Sequence, residues 1–456
     1  MKKSIVLIVG FCLLTLWGCV TDEGDSITTE AIESRAKSAG TNVSIPEIIK
    51  NEVVIQYRVK GLSEEKKLSI QHHYERLHKF KVTERKPCDC DNNDIELWTI
   101  DLTNSKFSKI EGAIGNMGGP EPEGGVEANL NFYFQIRMDR LNGRYSSSLV
   151  DKVANNTNNE DVVNIAILDT GIDYDFFPEP FLYDSSGTSE CQDEISGWDF
   201  VNNDNDPRDD QGHGTVVAKI ITNKLDLYNI PYRIMAVKAF DQTGRGSYWT
   251  TICGLNHIAK KQKQFIVNTS FGFYKLTDQT IFKNVIEDAS DRLLLVSSAG
   301  NNGVDTDIAG NEHFPSGYDS DNILTVGGYI EGELMSAPIF GSQYISGLLI
   351  ASNSNYGSNS IDALGPFDEH QFELIDVLDP NNPILINVEG TSFAAAEVTG
   401  RAARLFRETI GTPITIKEKT LDSGFLEYGL NSIVNSGKVI VRNLINTANQ
   451  PTTGHY

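Results

Sequence analysis

The sequence predicts an α/β protein: a mostly parallel β-sheet with helices on both faces, preceded by a small α+β unit. From residue 161 onwards, short apolar runs rich in β-branched residues alternate with helical patterns, which is typical of parallel strands joined by helical crossovers. Between residues 49 and 136 the order is strand, helix, strand, strand, helix, strand, which is the order of the ferredoxin-like split motif. Residues 137–160 are polar and lack such runs, so we place a linker between the two units here.

The first 18 residues have the pattern of a signal peptide. Two lysines come near the start, and the apolar run from Ser4 to Thr15 is short for a membrane span. The Leu-Trp-Gly-Cys sequence that ends at Cys19 resembles the lipobox of bacterial lipoproteins. This resemblance implies cleavage before Cys19 and lipid on its sulfur; the alternative is an ordinary secretory signal with a chance cysteine. Residues 19–48 are acidic and polar and are predicted to form a tether.

The charge of the chain and the spacing of its cysteines argue against some classes of function. The chain has 62 acidic and 39 basic residues and a formal charge of −23, which argues against non-specific binding to nucleic acid. Apart from Cys12 in the signal and Cys19, the cysteines are Cys88, Cys90, Cys191 and Cys253. One intervening residue makes Cys88 and Cys90 a poor zinc pair without a second pair nearby. A Cys191–Cys253 disulfide is an option in an exported protein, but two unpaired cysteines are the favoured interpretation.

The unit at residues 49–136 carries no catalytic constellation of its own. Acidic residues follow Ser63, which predicts a helix that begins there and runs to about His78. The other predicted elements are strands at 52–59, 79–85, 95–102 and 126–136 and a second helix at 104–117.

Four polar residues of the second unit stand at predicted element boundaries. Asp169 ends the apolar strand 162–168, and α/β sheets place functional groups at the carboxyl ends of parallel strands. His213 lies between two glycines directly before a predicted helix, and the glycines leave its imidazole accessible. Asn301 follows a buried strand and a glycine, where an amide donor can point into a cleft. Ser392 comes after Gly-Thr and before an alanine-rich run, at the positive end of a helix dipole.

The motifs around these residues are Asp-Thr-Gly, Gly-His-Gly-Thr, Ala-Gly-Asn and Gly-Thr-Ser-Phe-Ala-Ala. In this order they resemble the subtilisin-like serine proteases, and residues 50–136 are similar to the inhibitory propeptide of that family. The resemblance implies a serine endopeptidase in which Ser392 is the nucleophile, His213 the general base and Asp169 the acid that orients the base. It also implies that Asn301 donates to the oxyanion together with the Ser392 backbone amide, with Asn302 as the competing candidate.

The same resemblance implies a cleft in which an extended peptide pairs as an added strand. Gly272 and Gly300 would form walls of the first specificity pocket, and residues 312–315 are candidates for its base. The implied substrate-binding residues are Ser247, Ser270, Phe271, Gly272 and Gly300. The chain departs from the family pattern at Ala396 and Glu397, which raises the question of how the helix after Ser392 is held.

This chemistry requires no cofactor. The Asp-rich stretch 202–210 has the oxygens for a structural calcium ion, and turn formation is the favoured alternative.

The resulting interpretation is a lipid-anchored zymogen of a subtilisin-like endopeptidase. The predicted parts are a signal peptide 1–18, a tether 19–48, an inhibitory propeptide 49–136, a linker with an autoprocessing site 137–160, and a catalytic domain 161–456. The expected partners are protein or peptide substrates, the chain's own propeptide as an intramolecular inhibitor, and the membrane through lipid on Cys19.

The expected location is the bacterial cell envelope, as an outer-membrane or cell-surface lipoprotein. Because the lipid lies on the propeptide side, self-cleavage in 137–150 would detach the catalytic domain from its anchor. Two alternatives remain: a processing protease dedicated to one exported peptide, and a peptide-binding pseudoprotease.

Overall fold

The computed structural model of the chain describes part of its 456 residues. These are residues 43, 45–88, 94–115, 117, 124–138, 145–146, 162–177, 179–185, 191, 193–276, 279–330, 334–336, 343–345, 349–368, 370–376, 379–409 and 411–442. The predicted signal peptide, Cys19 and most of the tether and linker lie outside the described residues. None of the described helices combines the length and apolar character that a membrane crossing needs.

The N-terminal module, residues 47–135, is a four-stranded antiparallel sheet with two helices. Its elements are β1 (Glu47–Tyr57), α1 (Glu64–His78), β2 (Lys81–Pro87), β3 (Ile95–Asp101), α2 (Ile110–Ile114) and β4 (Val126–Gln135). The strands lie in the order β2, β3, β1, β4. The predicted succession of strands and helices in this part of the chain is confirmed.

The second helix of the module is much shorter than predicted. The prediction covered residues 104–117, whereas α2 spans five residues. The stretch before α2 is held in turns by short polar side chains: the Thr103 amide donates to Asp101 at 2.9 Å, and the Phe107 amide donates to the Ser105 hydroxyl at 3.1 Å. Such local bonds compete with the helical ones and delay the start of the helix.

The rest of the described chain is built around a ten-stranded sheet. Its strands and those of the smaller sheets are β5 (Tyr145–Ser146), β6 (Val163–Asp169), β7 (Gly197–Asp199), β8 (Tyr232–Lys238), β9 (Arg245–Ser247), β10 (Phe265–Thr269), β11 (Phe273–Tyr274), β12 (Leu293–Ser298), β13 (His313–Phe314), β14 (Ile323–Ile330), β15 (Leu334–Ser336), β16 (Gln343–Ile345), β17 (Leu349–Ile350), β18 (Ala363–Pro366), β19 (His370–Asp376), β20 (Asp379–Val388), β21 (Phe425–Leu426) and β22 (Lys438–Val439). The large sheet has the order β21, β22, β18, β14, β12, β10, β6, β8, β7, and β17 pairs with β14. Its pairs from β7 to β22 along this order are parallel.

Helices cover both faces of this sheet. They are α3 (His213–Leu227), α4 (Tyr248–Lys260), α5 (Thr280–Asp288), α6 (Thr391–Thr409) and α7 (Pro413–Asp422), with short 3-10 helices at Glu179–Phe181 and Tyr428–Leu430. Along β6, Ile165 and Ile167 belong to the core that contains α3 and α6, while Ala166 and Leu168 belong to the core of α4 and α5. This alternation follows from the two-residue period of a strand, and it confirms the predicted α/β sheet with helices on both faces.

The N-terminal module packs on the face of α4 and α5. Phe132 of β4 stacks on Tyr248 with ring centroids 5.0 Å apart. Asn131 accepts from the Trp249 amide at 3.0 Å, and Asn129 accepts from the Ile281 amide at 2.8 Å. Two side chains of the module therefore satisfy first-turn N–H groups of two helices, which have no partners within their own helices.

The cysteine interpretation from sequence was wrong. Cys253, in α4, forms a disulfide with Cys88, next to the end of β2. Cys191 is also disulfide-bonded. The sequence analysis compared only cysteines of the second unit with each other, whereas packing brings β2 of the module against α4.

Candidate active site

The four residues singled out in the sequence lie at the ends of elements around one edge of the parallel sheet. Asp169 is the last residue of β6, His213 the first residue of α3, and Ser392 the second residue of α6. Asn301 follows β12 after a two-residue turn. The carboxyl ends of parallel strands meet at one edge, and this is why residues more than 200 positions apart come together.

Asp169 and His213 form a buried pair. The Nδ1 atom of His213 lies 2.8 Å from Oδ1 and 3.0 Å from Oδ2 of Asp169. The Thr170 amide donates to the same Oδ1 at 2.7 Å. Because a carboxylate can only accept, Nδ1 carries the proton, and Nε2 is left with a lone pair that can take a proton.

A second, partly buried carboxylate fixes the turn that carries His213. Asp209 accepts from the amides of Gln211, Gly212 and Thr215 and from the Thr215 hydroxyl, at 2.6–3.0 Å. Burial raises the pKa of Asp209 above its usual range, and the four hydrogen bonds act in the opposite direction. The sequence analysis missed this role, although an aspartate four residues before His213 was a visible signal.

Ser392 is 9 % exposed. No hydrogen bond between described residues joins its hydroxyl to the His213 imidazole. The Ser392 Oγ donates to the Ser270 carbonyl at 3.0 Å. The Phe393 ring packs beside the His213 ring with centroids 5.5 Å apart. The residue after the serine thus packs against the His213 ring, and the serine hydroxyl is turned towards the residue that follows β10.

Asn301 is oriented by the residue before the serine. Its Oδ1 accepts from the Thr391 amide and from the Thr391 hydroxyl, both at 2.9 Å. The same hydroxyl accepts from the Gly300 amide at 3.1 Å. Because its oxygen is occupied in this way, the amide nitrogen of Asn301 is left to donate into the cleft.

Asn302, the competing candidate, faces elsewhere. Its Oδ1 accepts from the Tyr274 hydroxyl at 2.9 Å, and its backbone amide donates to Asn355 at 3.1 Å. This favours Asn301 as the donor next to Ser392.

The predicted substrate-binding residues line one cleft together with the chain's own N-terminal module. Ser270, Phe271, Gly272, Gly300, Asn301 and Ser392 share a cavity with residues 133–137 and 45–47. Ser247 pairs with Tyr133, because β4 runs antiparallel to β9. Four of the five predicted residues therefore line this cavity, and Ser247 lies on the strand that pairs with β4 beside it; their role in peptide binding stays a prediction.

The module continues beyond β4 as an extended segment along the cleft. The Ile136 amide donates to the Gly244 carbonyl at 2.8 Å, and Gln211 donates to the Met138 carbonyl at 2.8 Å. The Phe134 ring lies 5.4 Å from Phe240 and 5.9 Å from Phe271 between ring centroids. A side chain on Gly244 would meet the Ile136 carbonyl at 2.5 Å, so this edge admits a strand only because it carries glycine.

The base of the pocket beside Gly272 is polar. A Cβ on Gly272 would meet the His313 ring at 2.2 Å, and a Cβ on Gly300 would meet the Tyr274 hydroxyl at 2.6 Å. Burial lowers the pKa of His313 to about 3, so the ring is neutral near pH 7. The Ser316 hydroxyl donates to the His313 carbonyl and lies 2.7 Å from Nδ1, an arrangement in which Nδ1–H donates and Nε2 is an acceptor.

Glu397 links the two helices that carry His213 and Ser392. Its carboxylate lies 2.7 Å from the Lys224 ammonium of α3 and 3.5 Å from the Arg442 guanidinium. The neighbouring Ala396 is fully buried. The departure from the family pattern is therefore accommodated by an ion pair between α3 and α6.

Calcium or another metal has little support from the described side chains. In the stretch 202–210, Asp204 accepts from the Asp206 amide at 3.0 Å and Asp209 holds the histidine turn, which favours the turn interpretation. Among the described residues, the one group with ligand-like spacing is Cys191, Glu194 and His257. Its cysteine is disulfide-bonded, and Lys261 donates to both oxygens of Glu194, so this group does not fit a metal ion.

Known proteins resemble part of this chain. A thermophilic serine proteinase of Bacillus sp. (strain AK1) is 30% identical over 248 residues, which are 53% of this chain and 51% of that protein. Thermitase of Thermoactinomyces vulgaris is 29% identical over 114 residues, 24% of this chain and 37% of that protein. This chain thus spans about half, or less, of the length of these curated relatives.

Solved structures of other proteins are also similar to this chain. A cold-adapted subtilisin-like serine proteinase has a TM-score of 0.44 and 21% identity, over 62% of this chain and 89% of that one. A lanthipeptide protease has a TM-score of 0.44 and 18% identity, over 61% and 85% of the two chains.

The family comparison identifies which residues are matched. The family model described as "Subtilase family" matches residues 160–437, more than half of the 456 residues. This range includes Asp169, His213, Asn301 and Ser392. The chain therefore belongs to the subtilase family.

Proposed function

We propose that the protein is a serine endopeptidase that cleaves peptide bonds with Asp169, His213 and Ser392 and stabilises the oxyanion with Asn301. The observation that carries this proposal is the buried Asp169–His213 pair, with Ser392 beside it at the start of α6. Membership of the subtilase family supports the same reaction class.

The chemistry follows from the protonation of the imidazole. With Nδ1–H donated to Asp169, Nε2 of His213 can take the Ser392 proton as Oγ attacks the peptide carbonyl carbon. For this step Oγ must turn from the Ser270 carbonyl towards the imidazole, a rotation about the serine Cα–Cβ bond. The protonated imidazole, stabilised by Asp169, then gives its proton to the leaving amine. Water hydrolyses the acyl-enzyme through the same groups.

The negative charge on the carbonyl oxygen needs donors at the start of α6. Ser392 is in the first turn of α6, where backbone N–H groups have no helical acceptor and the helix dipole favours negative charge. The Phe393 and Ala394 amides donate to the Gly390 carbonyl and the Thr391 amide to Asn301. The donors are therefore the Ser392 backbone amide and the Asn301 side-chain amide, which Thr391 holds in place. Donors of this kind each contribute about 10²–10³ in turnover.

We propose that the N-terminal module is the inhibitory propeptide and that the chain cleaves itself between Arg137 and Met138. The supports are the pairing of β4 with β9 and the extended path of residues 136–138 along the cleft. Arg137 lines the same cavity as Ser392 and Gly300. This bond lies at the start of the linker 137–160 in which autoprocessing was expected.

The first pocket suggests a substrate class. Its base offers the Nε2 acceptor of a neutral His313 and the Tyr274 hydroxyl, whose pKa burial raises to about 12. Acceptors on neutral groups suit a long side chain that donates hydrogen bonds, as Arg137 does. We propose a preference for arginine or glutamine over large apolar residues at this position.

We further propose that the enzyme acts in the bacterial cell envelope as a lipoprotein anchored through Cys19. The Leu-Trp-Gly-Cys sequence supports this location. Substrates would be proteins or peptides; a single exported peptide as the dedicated substrate is compatible with the same site.

A peptide-binding pseudoprotease is the second candidate. The Ser392 hydroxyl is bonded to the Ser270 carbonyl, and the cleft already holds an extended peptide segment. A fluorophosphonate probe separates the two: covalent labelling of the chain that is lost in Ser392→Ala supports the enzyme. Equal labelling of the unmodified chain and of Ser392→Ala favours the binding protein. Absence of labelling in both, after the N-terminal module has been removed, favours it as well. N-terminal sequencing of processed protein tests Met138 as the new first residue.

A further inference from the structure

A covalent bond crosses the interface between the N-terminal module and the rest of the protein. Cys88 follows β2 in the module, and Cys253 lies in the middle of α4. The two residues are 165 positions apart in the chain, and both are almost completely buried, at 3 % and 1 % exposure. The bond therefore lies inside the packed interface and not on a surface loop.

The position of this bond relative to the linker decides its consequence. Cys88 precedes residues 137–160 and Cys253 follows them, so a cut anywhere in the linker leaves the two products joined through sulfur.

Non-covalent contacts reinforce the attachment at the cleft itself. The Tyr248 hydroxyl donates to Asn129 at 2.9 Å, and the Thr280 hydroxyl donates to Glu127 at 2.7 Å. Phe132 also packs edge-on against Phe273, with ring centroids 4.9 Å apart. The module therefore stays in register on the cleft after a cut, and the Cys88–Cys253 disulfide prevents it from diffusing away.

We propose that cleavage of the linker produces a disulfide-linked two-fragment protein and not a free catalytic domain. The N-terminal fragment, with any lipid on Cys19, remains attached and continues to cover the cleft. The cut alone then neither releases the catalytic part from a membrane nor activates it. This inference rests on the proposed function only for the agent that makes the cut.

Separation of the fragments needs a second reaction. One route is a dithiol reductant: a thiolate attacks one sulfur of the Cys88–Cys253 bond, and the second thiol of the reductant resolves the mixed disulfide. Two electrons pass to the cystine, which becomes two thiols, and the reductant becomes a disulfide. The other route is digestion of the module into pieces too small to hold the cleft.

The test uses the full chain with Ser392→Ala and a recognition sequence for an unrelated site-specific protease placed within residues 148–156. Because the cut comes from the added protease, the result does not depend on the chain's own activity. The cut protein is alkylated and run on denaturing gels with and without reductant. We expect one band at full mass without reductant and two fragments with it.

Peptide mapping under non-reducing conditions gives an independent reading that needs no variant. A linked pair of peptides containing Cys88 and Cys253 is expected. Two fragments on the gel without reductant, with alkylated Cys88 and Cys253, would overturn the proposal.

A matched variant tests the covalent link. Replacing all three described cysteines, as Cys88→Ser, Cys191→Ser and Cys253→Ser together, should let the fragments separate without reductant. A triple variant that still runs as one species would contradict the assignment. Failure of the unmodified chain to cut itself would count against the proposed function and leave this inference standing.

Discussion

The two halves of the candidate site are held in different ways. The His213 half is fixed by carboxylates: Asp169 holds the imidazole and Asp209 holds the turn before it through four hydrogen bonds. The Ser392 half is fixed by backbone and hydroxyl groups, through Thr391 and the Ser270 carbonyl. The comparison teaches that the His213 imidazole is preset by carboxylates, whereas the Ser392 hydroxyl is held by one hydrogen bond to a backbone carbonyl.

The largest effect is expected from changing Asp169, the carboxylate that holds the His213 imidazole. In Asp169→Asn the side-chain amide can donate to Nδ1, so the proton moves to Nε2 and the base is lost. We expect the first-order rate of linker cleavage in freshly folded chain to fall about 10⁴-fold, as this substitution does in serine-protease triads.

The control is Asp173→Asn, which removes a carboxylate that bonds Arg208 and the Asp175 amide outside the site. A loss of less than tenfold in Asp169→Asn, with the fold intact by circular dichroism, would show that the base is not set by Asp169.

Removing the proposed oxyanion donor, Asn301, should cause the next largest loss of cleavage rate. Asn301→Ala removes the side-chain donor beside Ser392, and we expect the cleavage rate to fall about 10²–10³-fold. Asn302→Ala is the matched control, since its carboxamide bonds Tyr274, and it should stay within about tenfold of the unmodified chain. The opposite ranking of the two variants would move the donor role to Asn302.

Acid should lower the stability of the folded protein through His370, which lies in the serine half of the site. This buried ring lies against Phe393 and 3.9 Å from Glu397, with Lys224 and Arg442 nearby, and Nε2 donates to the Pro366 carbonyl. Burial lowers the pKa of His370 to about 4 in the folded protein, against 6.5 when unfolded. The folded state is therefore favoured above pH 6.5, and this contribution is lost as the pH falls from 6.5 towards 4.

The size of the loss is on the order of 3 kcal/mol in the free energy of unfolding. Urea unfolding at pH 7 and pH 4 measures it. His370→Gln should lose correspondingly less stability over this range, and the exposed His72→Gln controls for removing a histidine. An unchanged pH dependence in His370→Gln would rule out this ring as the acid-sensitive group.

The smallest effect is expected from the hydroxyl that orients Asn301. Thr391→Val removes bonds to Asn301 and to the Gly300 amide but keeps the backbone bond to Asn301. We expect a rate loss of about tenfold, near the 1 kcal/mol of one hydrogen bond. In an Asn301→Ala background the same change should have little effect. Equal losses in both backgrounds would mean that Thr391 acts independently of Asn301.

Local patterns were sufficient to predict the frame of the site. Asp169, His213, Asn301 and Ser392 each stand where an element begins or ends, and such boundaries depend on short-range sequence. The strand and helix order was predictable for the same reason.

The parts that failed depend on long-range packing. To predict the Cys88–Cys253 bond, one must know that the end of β2 meets α4. To predict the path of residues 136–138, one must know that β4 pairs with β9. The predicted α2 was too long because the prediction did not take account of Asp101 and Ser105. The hydrogen bonds of their side chains hold the backbone in turns before the helix.

The pairing of β9 with β4 has one more consequence. The same three residues, Arg245–Ser247, form the fifth strand of the module's sheet and the edge on which an extended substrate would pair. A substrate and the module therefore compete for one set of backbone groups. A tethered competitor of this kind has an effective concentration on the order of millimolar, so an incoming peptide must exceed that level or wait for the module to be dismantled. Under the proposed function, inhibition by the module would be a matter of mass action at a shared strand edge.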